Sequence, residues 1–166
     1  MVAAGCNNAT AGPGFDLPTS NAPAPACLGT SPHRLGSLDF SDGATQTGVT
    51  HFRLPSDWMG NTDVVFLYTG DTASSNNIRW QASSACVADS EDVLNPTYNT
   101  ASASNSAGPT TAGQRKSASF AAVSMTNCAA GETAFWKFER VGGDAGDTYT
   151  GMGRLLEVEI TLRRAQ

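Results

Sequence analysis

The length, composition and charge of the chain fit a single acidic domain with few charged residues. It has 166 residues, of which 15% are charged, and a formal net charge of −5; one domain is usual at about 100–200 residues. This balance argues against nucleic-acid binding, which needs a clustered basic surface, and Arg163 and Arg164 are interpreted as a solvated strand end. No apolar run approaches the ~18 residues that cross a bilayer, so we expect no membrane insertion.

Residue types favour strands over helices along the whole chain. Small and β-branched residues are abundant while Lys and Glu are few, a balance typical of strands and turns. No stretch carries the 3.6-residue apolar stripe of a long helix. The fold class is therefore predicted to be all-β.

Residues 1–33 are predicted to form an extended arm that is rich in proline and glycine. Five of the eight prolines lie there, and because proline removes amide donors and fixes φ, we expect no regular strand ladder in this stretch. Phe15, Leu17 and Leu28 are candidate anchors on a neighbouring surface. We favour an arm that becomes ordered on contact with another subunit; a disordered linker is the alternative.

Residues 34–166 are predicted to form a β-sandwich domain, because short strand-like runs alternate with turn signals. The predicted strands cover residues 35–40, 49–54, 63–69, 78–87, 98–106, 114–125, 133–141 and 153–163. The third strand is a near-continuous apolar run, which indicates burial on both faces, at a sheet centre or beneath a subunit contact. The fifth strand is small and polar, as expected of a weak edge strand.

The last strand has the clearest pattern. Its apolar residues are predicted to face one way: Leu156, Val158, Ile160 and Leu162. Its polar residues are predicted to face the other way: Glu157, Glu159, Thr161 and Arg163. Such alternation predicts a half-buried antiparallel strand.

The strand count predicts an antiparallel eight-stranded jelly-roll sandwich with an irregular N-terminal arm. An immunoglobulin-like sandwich is the second choice. That fold usually places a tryptophan between two bridged cysteines, whereas Trp80 precedes both Cys86 and Cys128.

The four cysteines allow three pairings. Cys6 and Cys27 lie in the arm, and Cys86 and Cys128 lie at predicted strand ends, so the simplest pairing is Cys6–Cys27 and Cys86–Cys128. An even count fits an oxidising final location. Four free, buried thiols are the alternative.

No catalytic motif stands out, and we predict no enzymatic activity and no cofactor. The candidate catalytic histidines, His33 and His51, are assigned to the arm and to a strand surface. Glu157 and Glu159 share a strand face as paired carboxylates for glycoside hydrolysis would, but a solvated face explains them better. The loops 142–147 and 89–92 offer oxygen ligands that Ca²⁺ accepts, although such turns form without metal.

The three tryptophans of the chain are candidate contact residues. Trp80 lies on the apolar face of its predicted strand and is assigned to the core. Trp136 alternates with Phe135, so one of the two rings must face outward. We expect the outward ring, and Trp58 in a turn, to contact another subunit or a glycan, with the subunit contact favoured.

From Leu38 to the C-terminus the chain resembles a group of phage-associated β-domain structural proteins. The resemblance rests on these segments: Leu38-Asp39-Phe40, Phe52-Arg53-Leu54-Pro55-Ser56-Asp57-Trp58, Trp80, Cys86, Asn95-Pro96, Tyr98-Asn99-Thr100, Cys128-Ala129-Ala130-Gly131-Glu132, Arg154-Leu155-Leu156-Glu157-Val158-Glu159 and Thr161-Leu162-Arg163-Arg164. It implies a trimeric jelly-roll module of the kind found in capsid decoration proteins, head fibres and tail fibres.

The hypothesis that follows is a virion structural protein, self-associating as a homotrimer and attached by its arm to a major capsid or tail protein. Its location would be the virion surface. Residues 1–6 lack the basic and apolar regions of a secretion signal, which fits either a signal already removed or release by cell lysis. The alternatives are a carbohydrate-binding module, with a host-surface glycan as partner, and a subunit of an extracellular filament.

Overall fold

A computed structural model describes the backbone of residues 4–7 and 10–13, and both backbone and side chains of residues 15–30 and 33–165. Among these residues, no helix is long and apolar enough to span a membrane. The secondary structure is all β. Its strands are β1 (Ala4–Asn7), β2 (Thr10–Pro13), β3 (Ala24–Leu28), β4 (Leu35–Phe40), β5 (Thr45–Arg53), β6 (Thr62–Gly70), β7 (Asn77–Val87), β8 (Ser102–Ala107), β9 (Lys116–Val123), β10 (Thr133–Val141) and β11 (Gly153–Thr161).

Two antiparallel sheets form the sandwich. One has four strands in the order β5-β10-β7-β8, and the other has five in the order β3-β4-β11-β6-β9. From β4 onward the chain changes sheet at every connection except the one from β7 to β8. This is the strand order of a jelly roll, so the predicted jelly-roll sandwich is confirmed, and its eight strands are β4 to β11.

The sandwich contains a ninth strand, which comes from the arm. Strand β3 pairs antiparallel with β4, with Pro25 opposite Leu38, and β1 pairs with β2. The expectation that proline keeps this stretch out of ladders is therefore wrong. Because β3 is an edge strand, it hydrogen-bonds on one side alone, and an edge tolerates proline.

Residues 15–22, here called the strap, lie along β5. Asp16 and Val49 exchange two backbone hydrogen bonds of 2.8 and 2.9 Å, and the Thr47 amide donates to the Asn21 carbonyl. The side-chain amide of Gln46 donates to the Ala22 carbonyl. The strap therefore covers the backbone edge that β5 would otherwise expose.

The predicted arm anchors contact this chain's own sandwich. Phe15 is 5% exposed and belongs to the core, where its ring lies 5.4 Å from that of Phe138. Leu17 packs against the same core, and Leu28 is opposite Leu35 in the β3–β4 ladder. The prediction that Phe15 docks on a neighbouring surface is therefore wrong, because its ring is buried in this chain's own core. A phenyl ring gains more by filling the open side of its own sandwich than by staying in water.

Aromatic rings dominate the core between the sheets. Trp80 and Trp136 are fully buried. The Trp80 ring makes edge contacts with Phe40 and Phe66 at 5.3 and 5.8 Å. Such edge-to-face pairs stabilise a core beyond the area that they bury, and the assignment of Trp80 to the core is confirmed.

Two predicted strand patterns differ in detail from the structure. In β11 the register shifts between Leu155 and Glu157, and this β-bulge buries both Leu155 and Leu156. The alternation predicted from Leu156 onward is confirmed, because Leu156 and Val158 are buried while Glu157 and Glu159 are more exposed. The burial of Leu155 was not predicted, since it results from the bulge, which inserts one residue into the ladder. In β6 one face is buried and the other is half-buried. The prediction that both faces of this strand are buried is therefore only partly correct.

A buried ion pair fixes the loop between β10 and β11. Arg140 and Asp147 are essentially inaccessible, with 2.7 Å between Nη2 and Oδ1 and 2.8 Å between Nε and Oδ2. The same guanidinium donates to the carbonyls of Phe40, Tyr149 and Gly151. All three nitrogens of this buried cation donate hydrogen bonds, as a buried charge requires.

Candidate functional site

The three predicted contact residues occupy different environments. Trp136 is fully buried and stacks on Phe52, with ring centroids 6.2 Å apart. Trp58 is 9% exposed and forms a β-bridge with Arg164. The expected surface contact of Trp58 is therefore wrong, and Trp136 is not the outward ring of its pair with Phe135. Phe135 is the ring that faces outward, because it alternates with the buried residues Ala134 and Trp136 on β10.

Phe135 stacks on a histidine of the neighbouring strand. The centroids of Phe135 and His51 are 5.4 Å apart, with 30° between the ring planes, because the two residues are opposite each other in the β5–β10 ladder. His51 Nδ1 lies 3.3 Å from Asp16 Oδ2 in the strap. The strap therefore positions one end of an aromatic pair on the outer face of the four-stranded sheet.

A polar row lies beside this pair on the same face. Lys137 Nζ is 3.3 Å from Glu139 Oε1, and the Thr47 hydroxyl donates to the same oxygen at 2.9 Å. Glu139 is only 9% exposed. The carboxylate is thus held in place by two neighbours, while Lys137, with 28% of its side chain exposed, stays accessible.

Tyr98 completes the face from the loop between β7 and β8. Lys137 Nζ lies 5.1 Å from the centroid of its ring, within the range of a cation–π contact. Burial raises the pKa of the Tyr98 hydroxyl, and the negative charge of Glu139 adds to the shift. The neighbouring Asn99 amide donates to the Ser84 carbonyl at 2.8 Å, which fixes this segment beside β7.

The outward residues of β7 are buried beneath this region. Ser83 is 1% exposed and Ala85 is fully buried, although both alternate with core residues. Lys137 is opposite Ser83 in the β7–β10 ladder, so the ring of Tyr98 beside Lys137 lies over this part of β7. In the described structure the Ser83 hydroxyl has no hydrogen-bond partner, an unusual state for a buried polar group.

We call Phe135, His51, Lys137, Glu139 and Tyr98 the ring face. Phe135 stacks on His51, and Tyr98 contacts Lys137 of the ion pair with Glu139, so a ligand would meet apolar ring surface and hydrogen-bonding groups together. Aromatic walls with a few placed polar groups are typical of small-molecule sites. Of these five residues, only Phe135 is predicted from the sequence to be a contact residue. The alternation of β10 contained a further signal, because it places Lys137 and Glu139 on the same face.

A disulfide supports the loop that carries Tyr98. Cys86 and Cys128 are bonded across 42 residues, the pairing that the sequence favours. Cys27 is also disulfide-bonded, and among the described cysteines none is free. The side chain of Cys6 lies outside the described residues, so the predicted Cys6–Cys27 pairing stays a prediction.

The other candidate catalytic residues lie elsewhere in the structure. Glu157 and Glu159 lie on the outer face of the five-stranded sheet, where they are opposite Leu67 and Val65 in the β6–β11 ladder. His33 is exposed beside the arm. Neither carboxylate nor His33 belongs to the ring face.

In both loops considered for calcium, some carboxylate oxygens already accept hydrogen bonds or pair with a cation within the chain. Asp144 pairs with Arg79 and accepts a bond from the Gly146 amide. Glu91 accepts a bond from the Ala88 amide, and Asp92 accepts one from the Leu94 amide. Within the described part of the chain, no cluster of three or more His, Cys, Asp or Glu residues is arranged to hold a metal ion.

Comparison with known proteins gives a likeness among solved structures. No family model matches the chain, and no curated protein matches it. Among solved structures, the chain is similar to the CBM22-2 xylan-binding domain of Xyn10C from Paenibacillus barcinonensis. The sequence identity is 11% and the TM-score 0.45, over 87% of this chain and 89% of that one.

Proposed function

We propose that the chain is a non-catalytic carbohydrate-binding module of jelly-roll type, displayed on a virion surface. The virion setting comes from the resemblance to phage structural proteins. The observation that supports carbohydrate binding is the ring face, which combines the Phe135–His51 stack with the Lys137–Glu139 ion pair and the contact of Lys137 with Tyr98. A fold alone does not give a function, so the proposal depends on this site.

A sugar can contact both the aromatic rings and the hydrogen-bonding groups of the ring face. The C–H faces of a pyranose are apolar and pack on the aromatic rings, while its hydroxyls both donate and accept hydrogen bonds. Glu139 and the Thr47 hydroxyl accept, and Lys137 donates. Because Glu139 is held by Thr47 and Lys137 before any ligand binds, the site is partly preorganised, which lowers the cost of binding.

A glycan array followed by titration calorimetry tests this function. We expect the wild-type protein to bind at least one oligosaccharide, and Phe135→Ala to weaken that binding about tenfold or more, as loss of an aromatic platform does. Met59→Ala is the matched control, since Met59 is 55% exposed in the loop between β5 and β6 and belongs neither to the ring face nor to the loop that carries Tyr98. An array without any binder, or unchanged affinity in Phe135→Ala, contradicts the proposal.

Self-association is the second candidate function, and a different surface favours it. On the outer face of the five-stranded sheet, Val65 and Leu67 are half-buried. They lie between the serines of β9, Ser117 and Ser119, and the glutamates of β11. A face with an apolar centre and a polar rim is typical of a subunit contact. Since Phe15 is used in the chain's own core, we propose association through this face and not through the arm.

Sedimentation velocity over a range of concentrations tests this second candidate. We expect the wild-type chain to form trimers and Leu67→Gln to shift the equilibrium toward monomers. Leu94→Gln is the control, because it makes the same change at an exposed site outside the sheet. A wild-type protein that is monomeric at every concentration contradicts self-association.

A further inference from the structure

A cavity lies beside the ring face. A cavity of about 400 Å³ lies between the loop that follows β7 and residues 126–127, with Cys86 of the disulfide in its wall. Tyr98 lines this cavity and also contacts Lys137 of the ring face. A ligand that covers the ring face can therefore extend past Tyr98 into the cavity.

The lining of the cavity is polar and rich in hydrogen-bonding groups. Three amides and two hydroxyls contribute to it: Asn95, Asn99, Asn127, Thr97 and Thr126. Amides and hydroxyls both donate and accept hydrogen bonds, as sugar hydroxyls require. The ring of Tyr98 and the adjacent Pro96 supply apolar surface.

The charge of the cavity is negative. Glu91 and Asp92 line it, and none of its described lining residues is basic. Hydrogen bonds from Asn95 and from the Leu94 amide lower the pKa of Asp92, so this carboxyl is ionised at neutral pH. Such a cavity repels an anionic ligand and attracts a cationic one.

We propose that this cavity binds the terminal unit of a glycan and prefers an amino sugar with a free, protonated amine. The inference rests on the proposed carbohydrate-binding function and adds the ligand class. A neutral sugar is accepted more weakly, because it gains hydrogen bonds but no charge attraction. A uronic acid is rejected by the two carboxylates.

Titration calorimetry at pH 7 with three oligosaccharide probes tests the inference: glucosamine, N-acetylglucosamine and galacturonic acid oligomers. We expect the glucosamine oligomer to bind about fivefold more tightly than the N-acetylated one, the scale of an exposed charge pair, and the galacturonic acid oligomer not to bind. In the double variant Glu91→Gln with Asp92→Asn, this preference should fall below about twofold. Both replacements keep a side-chain oxygen that can accept the hydrogen bond from the backbone amide of Ala88 or of Leu94.

Asp89→Asn is the matched control. Asp89 lies on the same loop but lines a different cavity, so its loss of charge should leave the fivefold preference in place. Equal affinity for the three probes, a preference that survives the double variant, or no binding of any probe overturns the inference. The proposed function is judged separately by the glycan array with Phe135→Ala, which does not depend on the cavity carboxylates.

Discussion

The ring of Phe15 lies 5.4 Å from the ring of Phe138, and this contact joins the N-terminal region to the jelly roll. Phe138 belongs to β10, the strand that also carries Phe135, Lys137 and Glu139. The strap that begins at Phe15 also places Asp16 beside His51. The N-terminal region therefore supports the inner and the outer side of the same sheet.

Replacement of Phe15 by alanine tests this role of the strap. Phe15 is 5% exposed, so Phe15→Ala should lower the free energy of unfolding by about 3 kcal/mol, as a large core truncation does. Urea denaturation measures the change. Leu94→Ala, at an exposed site, should change stability by less than about 0.5 kcal/mol. An unchanged midpoint for Phe15→Ala would mean that the strap does not contribute to the core.

The disulfide between Cys86 and Cys128 should stabilise the fold because it restricts the conformational freedom of the unfolded chain. It closes a loop with a sequence separation of 42 residues, and a loop of this length corresponds to about 2–4 kcal/mol. The double variant Cys86→Ala with Cys128→Ala should lose this amount in urea denaturation. If its stability equals that of the oxidised wild type, the disulfide has no such role.

The buried ion pair between Arg140 and Asp147 predicts a severe single-site effect. Asp147→Asn leaves the inaccessible guanidinium of Arg140 without its anion, and breaking a buried pair costs about 3–5 kcal/mol. Asp144→Asn is the control, since the Arg79–Asp144 pair is partly exposed and should contribute less than about 1 kcal/mol. Equal effects of the two variants in thermal denaturation would refute this assignment.

Stability should fall at high pH because of Tyr68. Burial raises the pKa of Tyr68 to about 12, with a smaller opposing effect of a hydrogen bond to Ser106. The neutral phenol is favoured in the folded state, so its contribution is complete below the ordinary pKa of about 10 and is lost as pH rises toward 12. The stability difference between wild type and Tyr68→Phe should therefore shrink above pH 10. Parallel stability curves for the two proteins would contradict this.

Local sequence patterns were sufficient to predict most of the sandwich. The strands at Leu35–Phe40 and Thr133–Val141 have the predicted bounds, because alternation and turn residues act within a few positions. The bulge in β11 was missed, since it depends on how the strand pairs with β6. Strand β3 was missed for the same reason: proline disfavours a ladder locally, but its place at a sheet edge is set by distant residues.

The candidate site was less predictable than the fold. Alternation required Phe135 and Trp136 to face opposite ways, but which ring is buried depends on the sheet that covers it. Tyr98 was assigned to a weak edge strand, whereas it lies in the loop before β8. Its contact with Lys137 joins residues far apart in sequence, and no local pattern contains that information.

The most direct test of the proposed glycan site is a nuclear magnetic resonance titration of the isotope-labelled chain with the best oligosaccharide from the array. We predict that the largest amide shifts fall on His51, Tyr98 and the β10 residues of the ring face. Signals of β6 and β11, on the opposite sheet, should move little. Shifts centred on Val65 and Leu67, or no shifts at saturating ligand, would contradict carbohydrate binding at the ring face.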